Sequence, residues 1–248
     1  VFGYISMQAI ILCAGMGVRI NDLTRGKPKC LLNICGKSII EHQIDAIKRY
    51  TTVPPIVVVG YKAEMIRLCL ENSNVRFVYN PDYAITNVLT SLWYALPEIK
   101  KDVNMICMPG DLIFDHKIIK KLLDYDSEIN IAVQKRECDD EAVKVLINEK
   151  RIISIGKQLE INERTWEFIG MLKVEAGIVE NFREVVSGII NNGERNGYVF
   201  TALQEIINKG GTSVGYVDVK GYLWEEIDFA EDYDRANKKF LNQGLFLE

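Results

Sequence analysis

The chain has 248 residues, which is long enough for one large domain with a substantial buried core. Hydrophobic residues make up 48% of it and charged residues 26%, as in ordinary globular proteins, and the net charge of -4 gives no basic footprint for nucleic acid. No apolar run approaches the roughly eighteen residues that a membrane helix needs. We therefore expect no nucleic-acid partner and no membrane insertion.

The cysteines and the first residues indicate a reducing compartment. Six cysteines are present without a C-x-x-C pair, and two histidines offer few ligands for a zinc site. Residues 1–6 carry neither the basic segment nor the apolar segment of a signal peptide. Free thiols without an export signal are typical of the cytoplasm, so a cytoplasmic location is expected. The oligomeric state stays open.

The first predicted element is a strand buried on both faces, Ala9–Cys13, which ends in a glycine loop. Gly15 and Gly17 allow the backbone to turn tightly and to point its N–H groups at one place. Arg19 and the segment Lys27–Lys29 add positive charge nearby. This combination predicts a binding site for a polyphosphate, with a plain glycine turn and solvated cations as the simpler alternative.

Two other glycine-loop chemistries fit the sequence less well. A dinucleotide site needs a third small residue where this chain has Ile20, and the next convincing strand lies too far along the chain to supply the acidic partner. A P-loop over residues 36–38 would need an earlier glycine at the position of Leu31. That segment is better explained as a helix start, in which Ser38 and Glu41 form a capping box.

Strands and helices alternate through the first half of the chain. Short apolar runs bounded by glycine, proline or asparagine predict strands, and apolar residues at helical spacing predict helices. In order, the predicted elements are a helix Ser38–Tyr50, a strand Ile56–Val59, a helix Lys62–Glu71, a strand Val75–Tyr79, a helix Asn87–Leu96 and a strand Val103–Met108. The crossovers favour parallel pairing, so we expect a doubly wound, mostly parallel α/β sheet (a Rossmann-like fold) with its ligand beyond the carboxyl ends of the strands.

The second half has shorter connections, which favour antiparallel or mixed pairing. Its predicted strands are Asn130–Lys135, Val143–Ile147, Arg151–Ile155, Phe168–Val174, Val214–Val219 and Leu223–Ile227, and its predicted helices are Glu175–Ile190, Tyr198–Asn208 and Phe229–Asn242. No internal repeat or low-complexity linker separates the two halves. We predict a single domain over residues 1–248, with a nucleotide-binding half at about 7–115 and an acceptor-binding, metal-completing half at about 116–248.

The segment from residue 12 to residue 32 resembles a family signature. The pattern Leu12-x-x-Gly15-x-Gly17-x-Arg19, followed by Lys27–Pro28–Lys29 and two leucines, is similar to that of the sugar-phosphate nucleotidyltransferases, with Ile20 in place of the usual leucine. In that family the loop and its arginine hold a nucleoside triphosphate, and the lysine after the proline contacts the reacting phosphates. The resemblance implies catalytic roles for Arg19 and Lys29. It implies nucleotide contacts from Leu12, Ala14, Gly15 and Gly17.

The stretch Asn80–Leu92 favours one branch of this family. Members that use UTP or dTTP typically carry a G-T-A-type segment near here, whereas this chain has Thr86–Asn87 and then Ser91–Leu92. That arrangement is similar to the cytidylyltransferases acting on phosphocholine, inositol 1-phosphate and aminophosphonates, which implies CTP as the nucleotide. The implied pocket residues are Gly60, Asn80, Asn87 and Ser91. A plain helix start capped by Thr86 is the alternative.

Two aspartates follow predicted strands. Asp111 lies in a Pro-Gly-Asp turn and Asp228 precedes the last predicted helix, and both resemble the metal-binding aspartates of the family. The resemblance implies a Mg²⁺ cofactor held by these carboxylates together with phosphate oxygens. The alternatives are a turn residue at Asp111 and, at Asp228, a helix N-cap whose capping box Glu231 completes. A phosphate-monoester acceptor is already anionic at neutral pH, so no general base is required.

Three residues of the second half lie in segments that look like the acceptor-side strands of the family: Lys144, Lys157 and Glu167. The resemblance implies that they bind a phosphorylated alcohol, although solvated lysines would explain the first two equally well. A choline acceptor would need an aromatic cage, for which the chain offers Tyr83, Trp93, Tyr94, Trp166 and Tyr198. A polyol would need carboxylates and amides, such as those of Glu141, Gln158, Glu167 and Gln204.

The overall pattern favours 1L-myo-inositol 1-phosphate as the acceptor, with CDP-alcohol and pyrophosphate as products. Phosphocholine, an aminophosphonate, and a sugar 1-phosphate with another nucleoside triphosphate remain alternatives. A regulatory module that senses a nucleotide without turnover is the non-enzymatic alternative. Four residues argue against it, because a sensor has little use for both metal carboxylates: Arg19, Lys29, Asp111 and Asp228.

Overall fold

The computed structural model describes residues 6–138, 141–148 and 151–243, so most of the segment inspected for a signal peptide lies outside it. The strands are β1 Met7–Cys13, β2 Asn33–Ile34, β3 Lys37–Ser38, β4 Ile56–Val59, β5 Arg76–Tyr79, β6 Asn104–Pro109, β7 Leu112–Phe114, β8 Ile129–Gln134, β9 Lys144–Asn148, β10 Arg151–Gly156, β11 Thr165–Val174, β12 Val214–Asp218 and β13 Trp224–Glu226. The helices are α1 Asn21–Thr24, α2 Ile39–Lys48, α3 Ala63–Cys69, α4 Val88–Ala95, α5 Lys117–Asp124, α6 Val179–Asn191, α7 Val199–Lys209 and α8 Ala230–Gln243.

One large sheet runs through both halves of the chain. Its path is β10-β9-β11-β6-β1-β4-β5, and β8 and β12 extend it beside β11. The pairs β1–β4, β1–β6 and β4–β5 are parallel, whereas β11 is antiparallel to β6, β8 and β9. The expected doubly wound α/β fold is confirmed, with its parallel part in the first half and mixed pairing in the second.

The strands of the first half end together. Cys13 is in register with Val59, Val59 with Tyr79, and Leu12 with Pro109. The glycine loop and the turn after β6 therefore meet at one edge of the sheet, the edge where ligands of such sheets bind.

Both faces of the sheet are covered, because the central strands project apolar side chains to both of them. Ile10 and Leu12 of β1 face a core shared with α4, α6 and α7, and Ile11 and Cys13 face a second core shared with α2 and α5. Ser38 caps α2 and Glu41 returns to its backbone N–H, so the predicted capping box is present and the P-loop interpretation is not needed.

A third, smaller core packs the last helix, α8, against residues near the start of the chain. Phe240 and Ala236 of α8 pack with Ile34 and Ile20, next to the β2–β3 hairpin. Strand β13 pairs with β7, which directly follows the turn after β6. This packing places the residues around 228 beside the glycine loop, although about two hundred positions separate them in the chain.

Every predicted strand and helix is present, with ends displaced by about one turn at most. The structure adds helix α1, the β2–β3 hairpin, strand β7 and helix α5, none of which was predicted from the sequence. Strand β7 has three residues and pairs only with β13, so its existence depends on a contact far along the chain. Within the described ranges, no helix is both long and apolar enough to cross a bilayer.

Candidate active site

A cavity of about 370 Å³ opens at the carboxyl edge of β1 and β6. Both halves of the chain line it, so the glycine loop faces the strands of the second half across the opening. Its charged and polar lining includes Arg19, Lys29, Tyr83, Thr86, Asn87, Ser91, Asp111, Glu141, Lys157, Glu167, Tyr198, Glu226 and Asp228. A cavity of this size with convergent charges is the expected form of a small-molecule site.

The glycine loop approaches Lys29 closely. Gly17 has φ +60°, and a Cβ placed on it would lie 2.7 Å from Cγ of Lys29. A side chain at Gly15 would meet nothing within 4 Å. Gly17 is therefore required by both its conformation and its contact, and it allows the lysine side chain to pass beneath the loop.

The ammonium of Lys29 lies between two carboxylates. Its Nζ is 3.2 Å from Oδ2 of Asp111 and 2.6 Å from Oδ1 of Asp228, and only 13% of the lysine side chain is exposed. Burial disfavours its charge, but the two carboxylates outweigh burial and raise the pKa of Lys29, so the lysine is cationic at neutral pH. The structure thus brings together Lys29, Asp111 and Asp228, three of the predicted site residues.

Each of the two aspartates has a backbone that is held in place. The turn at Asp111 accommodates no side chain at Gly110, where a Cβ would overlap Sγ of Cys13. The N–H groups of Asp228 and Phe229 donate to Oδ2 of Asp232, at 2.9 and 2.8 Å. The alternative that Glu231 completes a capping box is therefore wrong: Asp232 accepts these N–H groups, four residues after Asp228.

Glu226 is a site residue that the sequence analysis missed. Its side chain is open to the cavity, two residues before Asp228 on an extended segment, so both carboxylates project to the same side. Glu226 is exposed to solvent, but the protein atoms of the cleft around it and the carboxylates of Asp111 and Asp228 raise its pKa. The alternation Trp224, Glu226, Asp228 was the signal in the sequence that could have identified it.

The carboxylates of Asp111, Asp228 and Glu226 supply some of the ligands that a divalent cation needs. Burial raises the pKa of Asp111 and the charge of Asp228 adds to this effect, while the ammonium of Lys29 opposes it without cancelling it. Carboxylate oxygens are the ligands that Mg²⁺ accepts in company with phosphate oxygens. In the described part of the chain, no three such side chains form a metal cluster by themselves. The donor set is therefore suited to a cation that a phosphate ligand helps to hold.

Cys13, one of the thiols that line the cavity, is not a nucleophile. A hydrogen bond with Cys30, together with burial, holds the pKa of Cys13 well above its usual range. Cys13 is a neutral thiol at neutral pH, so it does not offer a thiolate for covalent chemistry.

Arg19 and Lys157 meet on Glu141 at the opening of the cavity. Oε2 of Glu141 lies 3.3 Å from Nη1 of Arg19 and 3.1 Å from Nζ of Lys157. All three side chains are partly exposed, so this arrangement adds little stability. It does hold two cations from different halves of the chain at one side of the cavity, next to the glycine loop.

The three predicted acceptor residues have different surroundings. Lys157 and Glu167 line the cavity, and Arg136 pairs with both carboxylate oxygens of Glu167. Lys144 is buried outside the lining, and its Nζ donates to the carbonyl of Lys157 at 2.7 Å. Lys144 therefore supports the backbone of Lys157, and its ammonium is directed away from the cavity.

The predicted nucleotide-binding residues fall into two groups, those that line the cavity and those that lie outside its lining. Leu12, Ala14, Gly15, Gly17, Asn87 and Ser91 line the cavity. Asn80 is buried outside the lining and donates to Oγ of Ser91 at 3.0 Å. Gly60 also lies outside the lining. It packs closely against Tyr83, since a Cβ on Gly60 would lie 2.6 Å from Cβ of Tyr83. Asn80 and Gly60 thus act on the pocket through Ser91 and Tyr83.

The start of α4 differs from the alternative considered for it. Asn87 is the N-cap, and its Oδ1 accepts from the N–H of Val88 at 2.8 Å. Thr86 instead donates its hydroxyl to the carbonyl of Asp82. The amide side chain of Asn87 therefore combines a capping role with a place in the lining of the cavity.

Comparison with known proteins identifies the family of the chain. Residues 9–175 match the family model of the MobA-like NTP transferase domain, which is more than half of the chain. The CTP:phosphoglutamine cytidylyltransferase of Campylobacter jejuni is 28% identical over 92% of this chain and 98% of its own length. The bifunctional protein GlmU of Methanococcus maripaludis is 30% identical over 96% of this chain, which spans only 55% of GlmU.

Solved structures show the same fold. The inositol-1-phosphate CTP transferase of T. maritima superimposes with a TM-score of 0.75 at 22% identity, covering 96% of this chain and 97% of the other. The CTP:phosphocholine cytidylyltransferase of Streptococcus pneumoniae gives a TM-score of 0.77 at 21% identity, covering 95% and 100%. The fold, the cavity and the family match agree, and the chain belongs to the family of MobA-like NTP transferase domains and is a nucleotidyltransferase.

Proposed function

We propose that this chain is a magnesium-dependent cytidylyltransferase that joins CTP to a small phosphorylated alcohol, giving a CDP-alcohol and pyrophosphate. The observation that carries the proposal is the ammonium of Lys29 between the carboxylates of Asp111 and Asp228, directly below the glycine loop. A lysine for phosphate oxygens and two carboxylates for a cation are the groups that transfer at an α-phosphorus requires.

In the proposed reaction, an oxygen of the acceptor phosphate bonds to the α-phosphorus of CTP. The bond from that phosphorus to the bridging oxygen of the leaving pyrophosphate breaks. Lys29 and Arg19 neutralise negative charge on the triphosphate, and the N–H groups of the loop at Gly15 and Gly17 orient it. Mg²⁺ held by Asp111 and Asp228, with Glu226 beside them, would supply further charge neutralisation. No histidine lines the cavity, which agrees with an acceptor that needs no general base.

CTP is favoured over other nucleoside triphosphates for two reasons. One relative and two structural neighbours that align over nearly the whole chain carry CTP or cytidylyl transfer in their names, although GlmU does not. Asn87 and Ser91, on which the resemblance to cytidylyltransferases rests, both line the cavity.

Among acceptors, we propose inositol 1-phosphate as the first candidate. The neighbour from T. maritima carries this substrate in its name, and the carboxylates of Glu141 and Glu167 provide acceptors for hydroxyl groups. Phosphocholine fits less well, because Nζ of Lys157 lies 5.3 Å from the ring centre of Tyr198, on the face that a quaternary ammonium would use. Of the aromatic residues considered for a choline cage, Tyr83 and Tyr198 line the cavity, whereas Trp93, Tyr94 and Trp166 do not.

Phosphoglutamine is the second candidate acceptor. The relative from Campylobacter jejuni, which carries it in its name, aligns over 92% of this chain and 98% of its own length. An amino acid with a phosphorylated side chain offers additional anionic oxygens, for which Arg19 and Lys157 provide cations at the opening of the cavity.

The experiment is pyrophosphate release with MgCl₂, measured for CTP, UTP, ATP, GTP and dTTP against inositol 1-phosphate, phosphocholine, 2-aminoethylphosphonate, phosphoglutamine and glucose 1-phosphate. We expect turnover with CTP and inositol 1-phosphate. Turnover with UTP or dTTP alone would contradict the choice of CTP, and silence across the whole panel would refute the proposed function.

A matched pair of variants tests the metal assignment. Asp111→Ala should abolish most of the activity, whereas Asp45→Ala removes an exposed carboxylate that pairs with Lys37 far from the cavity and should leave the rate unchanged. Full activity of the Asp111 variant would remove Asp111 from the proposed metal site.

A further inference from the structure

A buried glutamine of α2 holds the turn that carries Asp111. Nε2 of Gln43 donates to the carbonyl of Pro109 at 2.8 Å and to the carbonyl of Leu112 at 2.7 Å. These two carbonyls bracket Gly110 and Asp111. Gln43 is 1% exposed and lies outside the lining of the cavity, so it reaches the turn from behind.

Two other contacts hold the same turn. The N–H of Gly110 donates to the carbonyl of Leu12 at 3.0 Å, and the carbonyl of Asp111 accepts from the N–H of Ile227 at 3.0 Å. Gln43 is the side chain that spans the turn, because a single NH₂ group binds the residue before it and the residue after it. Its loss would remove one side-chain hydrogen bond from each end of the turn.

Stability alone does not explain a glutamine at this position. Oε1 of Gln43 is buried without a hydrogen-bond partner among the described residues. A buried, unpaired amide oxygen is destabilising, and an apolar side chain of the same length would avoid that cost. An apolar residue could not form the two hydrogen bonds to the carbonyls of Pro109 and Leu112.

We propose that Gln43 is a positioning residue for nucleotidyl transfer, which fixes the place of the Asp111 carboxylate relative to Lys29 and Asp228. The inference rests on the proposed role of Asp111. A displacement of about 1 Å at a reacting centre can reduce a rate roughly a hundredfold. Gln43 acts through the backbone at Pro109 and Leu112, without contact to a substrate.

The chain offers a matched control. Gln8 is fully buried in β1, its Nε2 donates to the carbonyl of Pro54 at 3.0 Å, and its Oε1 accepts from the N–H of Lys100 at 2.8 Å. It also binds two backbone groups, but near the start of β1, at the opposite edge of the sheet from the cavity. Gln43→Met and Gln8→Met therefore remove comparable bonds at two ends of the same sheet.

The experiment compares both variants with the wild type by kcat, KM for CTP and the affinity for Mn²⁺ from the relaxation of water protons with MnCl₂ alone. We expect Gln43→Met to lower kcat by about tenfold to a hundredfold and to weaken Mn²⁺ binding, with KM for CTP within about twofold. Gln8→Met should leave all three within about twofold. Circular dichroism and thermal unfolding establish that each variant is folded, and Gln43→Glu, which keeps the side-chain volume, replaces a Gln43→Met protein that does not fold.

A double-mutant cycle separates positioning from a general structural effect. If Gln43 acts through Asp111, Gln43→Met should cost less than about twofold in an Asp111→Asn background. Equal effects of the Gln43 and Gln8 variants, or full additivity with Asp111→Asn, would overturn the inference. If the wild type shows no turnover with any nucleoside triphosphate, the proposed function fails. The affinities of the wild type and the Gln43 variant for Mn²⁺ then test the role of Gln43 by themselves, and equal affinities would contradict it. A wild type that neither turns over nor binds Mn²⁺ would refute both.

Discussion

The two sides of the cavity are built differently. On the nucleotide side, the glycine loop and the turn after β6 form much of the wall, and a side chain cannot be added at Gly17 or Gly110 without close contact to neighbouring atoms. On the acceptor side, Gly170 is restricted in the same way, because a Cβ there would lie 2.9 Å from Cγ of Pro109, but long, partly exposed side chains such as Lys157 form the rest of the wall. The parallel strands thus produce a rigid site, and the mixed strands produce one defined by side chains.

This difference accounts for a division of labour. In the proposed function, a triphosphate would be bound by backbone N–H groups and by a buried, charge-balanced lysine, which leave little room for change. The acceptor would be bound by side chains that can be exchanged without moving the sheet. The same scaffold can therefore serve different acceptors while its nucleotide chemistry stays the same.

The largest effect is expected from Lys29→Met. Removal of this ammonium leaves the carboxylates of Asp111, Asp228 and Glu226 without a charge that offsets them, and kcat should fall on the order of a hundredfold to a thousandfold. Lys37→Met is the control, because Lys37 forms an exposed pair with Asp45 and should leave kcat unchanged. Steady-state pyrophosphate release checks both, and an equal response would contradict the central role of Lys29.

Next in size is the effect of Gly60→Ala on stability. The new Cβ would lie 2.6 Å from Cβ of Tyr83 and 2.8 Å from the carbonyl oxygen of Ala14, so the free energy of unfolding should fall by about 1–3 kcal/mol. Gly156→Ala meets nothing within 4 Å and should change it by less than about 0.5 kcal/mol. Urea unfolding measures both. Equal losses of unfolding free energy in the two variants would contradict the difference in space around Gly60 and Gly156.

A moderate effect is expected from Lys157→Met on the acceptor alone. The loss of a charged hydrogen bond should raise KM for the acceptor by about tenfold and leave KM for CTP within about twofold. Lys135→Met is the comparison, because its Nζ lies over the ring of Trp166, which is outside the lining. An increase of KM for CTP alone would place Lys157 on the nucleotide side and contradict the division.

The smallest effect concerns the contact between the halves at Asp82. Its carboxylate accepts from the hydroxyl of Tyr94 at 2.7 Å and from Arg195 of the second half. These hydrogen bonds lower the pKa of Asp82, so they stabilise the fold above the ordinary pKa of an aspartate and this contribution is lost as the pH falls through the lowered pKa. Asp82→Asn should be slightly less stable than the wild type at pH 7, and the difference should begin to shrink as the pH falls below about 4 in urea unfolding. A difference that does not shrink at all as the pH is lowered further would show another cause.

The glycine loop was readable from the sequence because its signal is local. The spacing of Gly15, Gly17 and Arg19 after a buried strand specifies the backbone and the nearby charge within a few residues. The predicted strands and helices were recovered for the same reason, since apolar periodicity and turn residues act over short distances. The capping box of Ser38 and Glu41 is likewise contained in four consecutive positions.

Only the tertiary structure decided which side chains share the cavity. Lys144 and Lys157 looked alike in the sequence, but the pairing of β9 with β10 turns Lys144 inward to the carbonyl of Lys157. Glu226 entered the site because β13 pairs with β7, beside the turn of Asp111. Local sequence determines the element and the turn, whereas strand register and the packing of α8 determine which distant charges meet, since these depend on contacts between residues far apart in the chain.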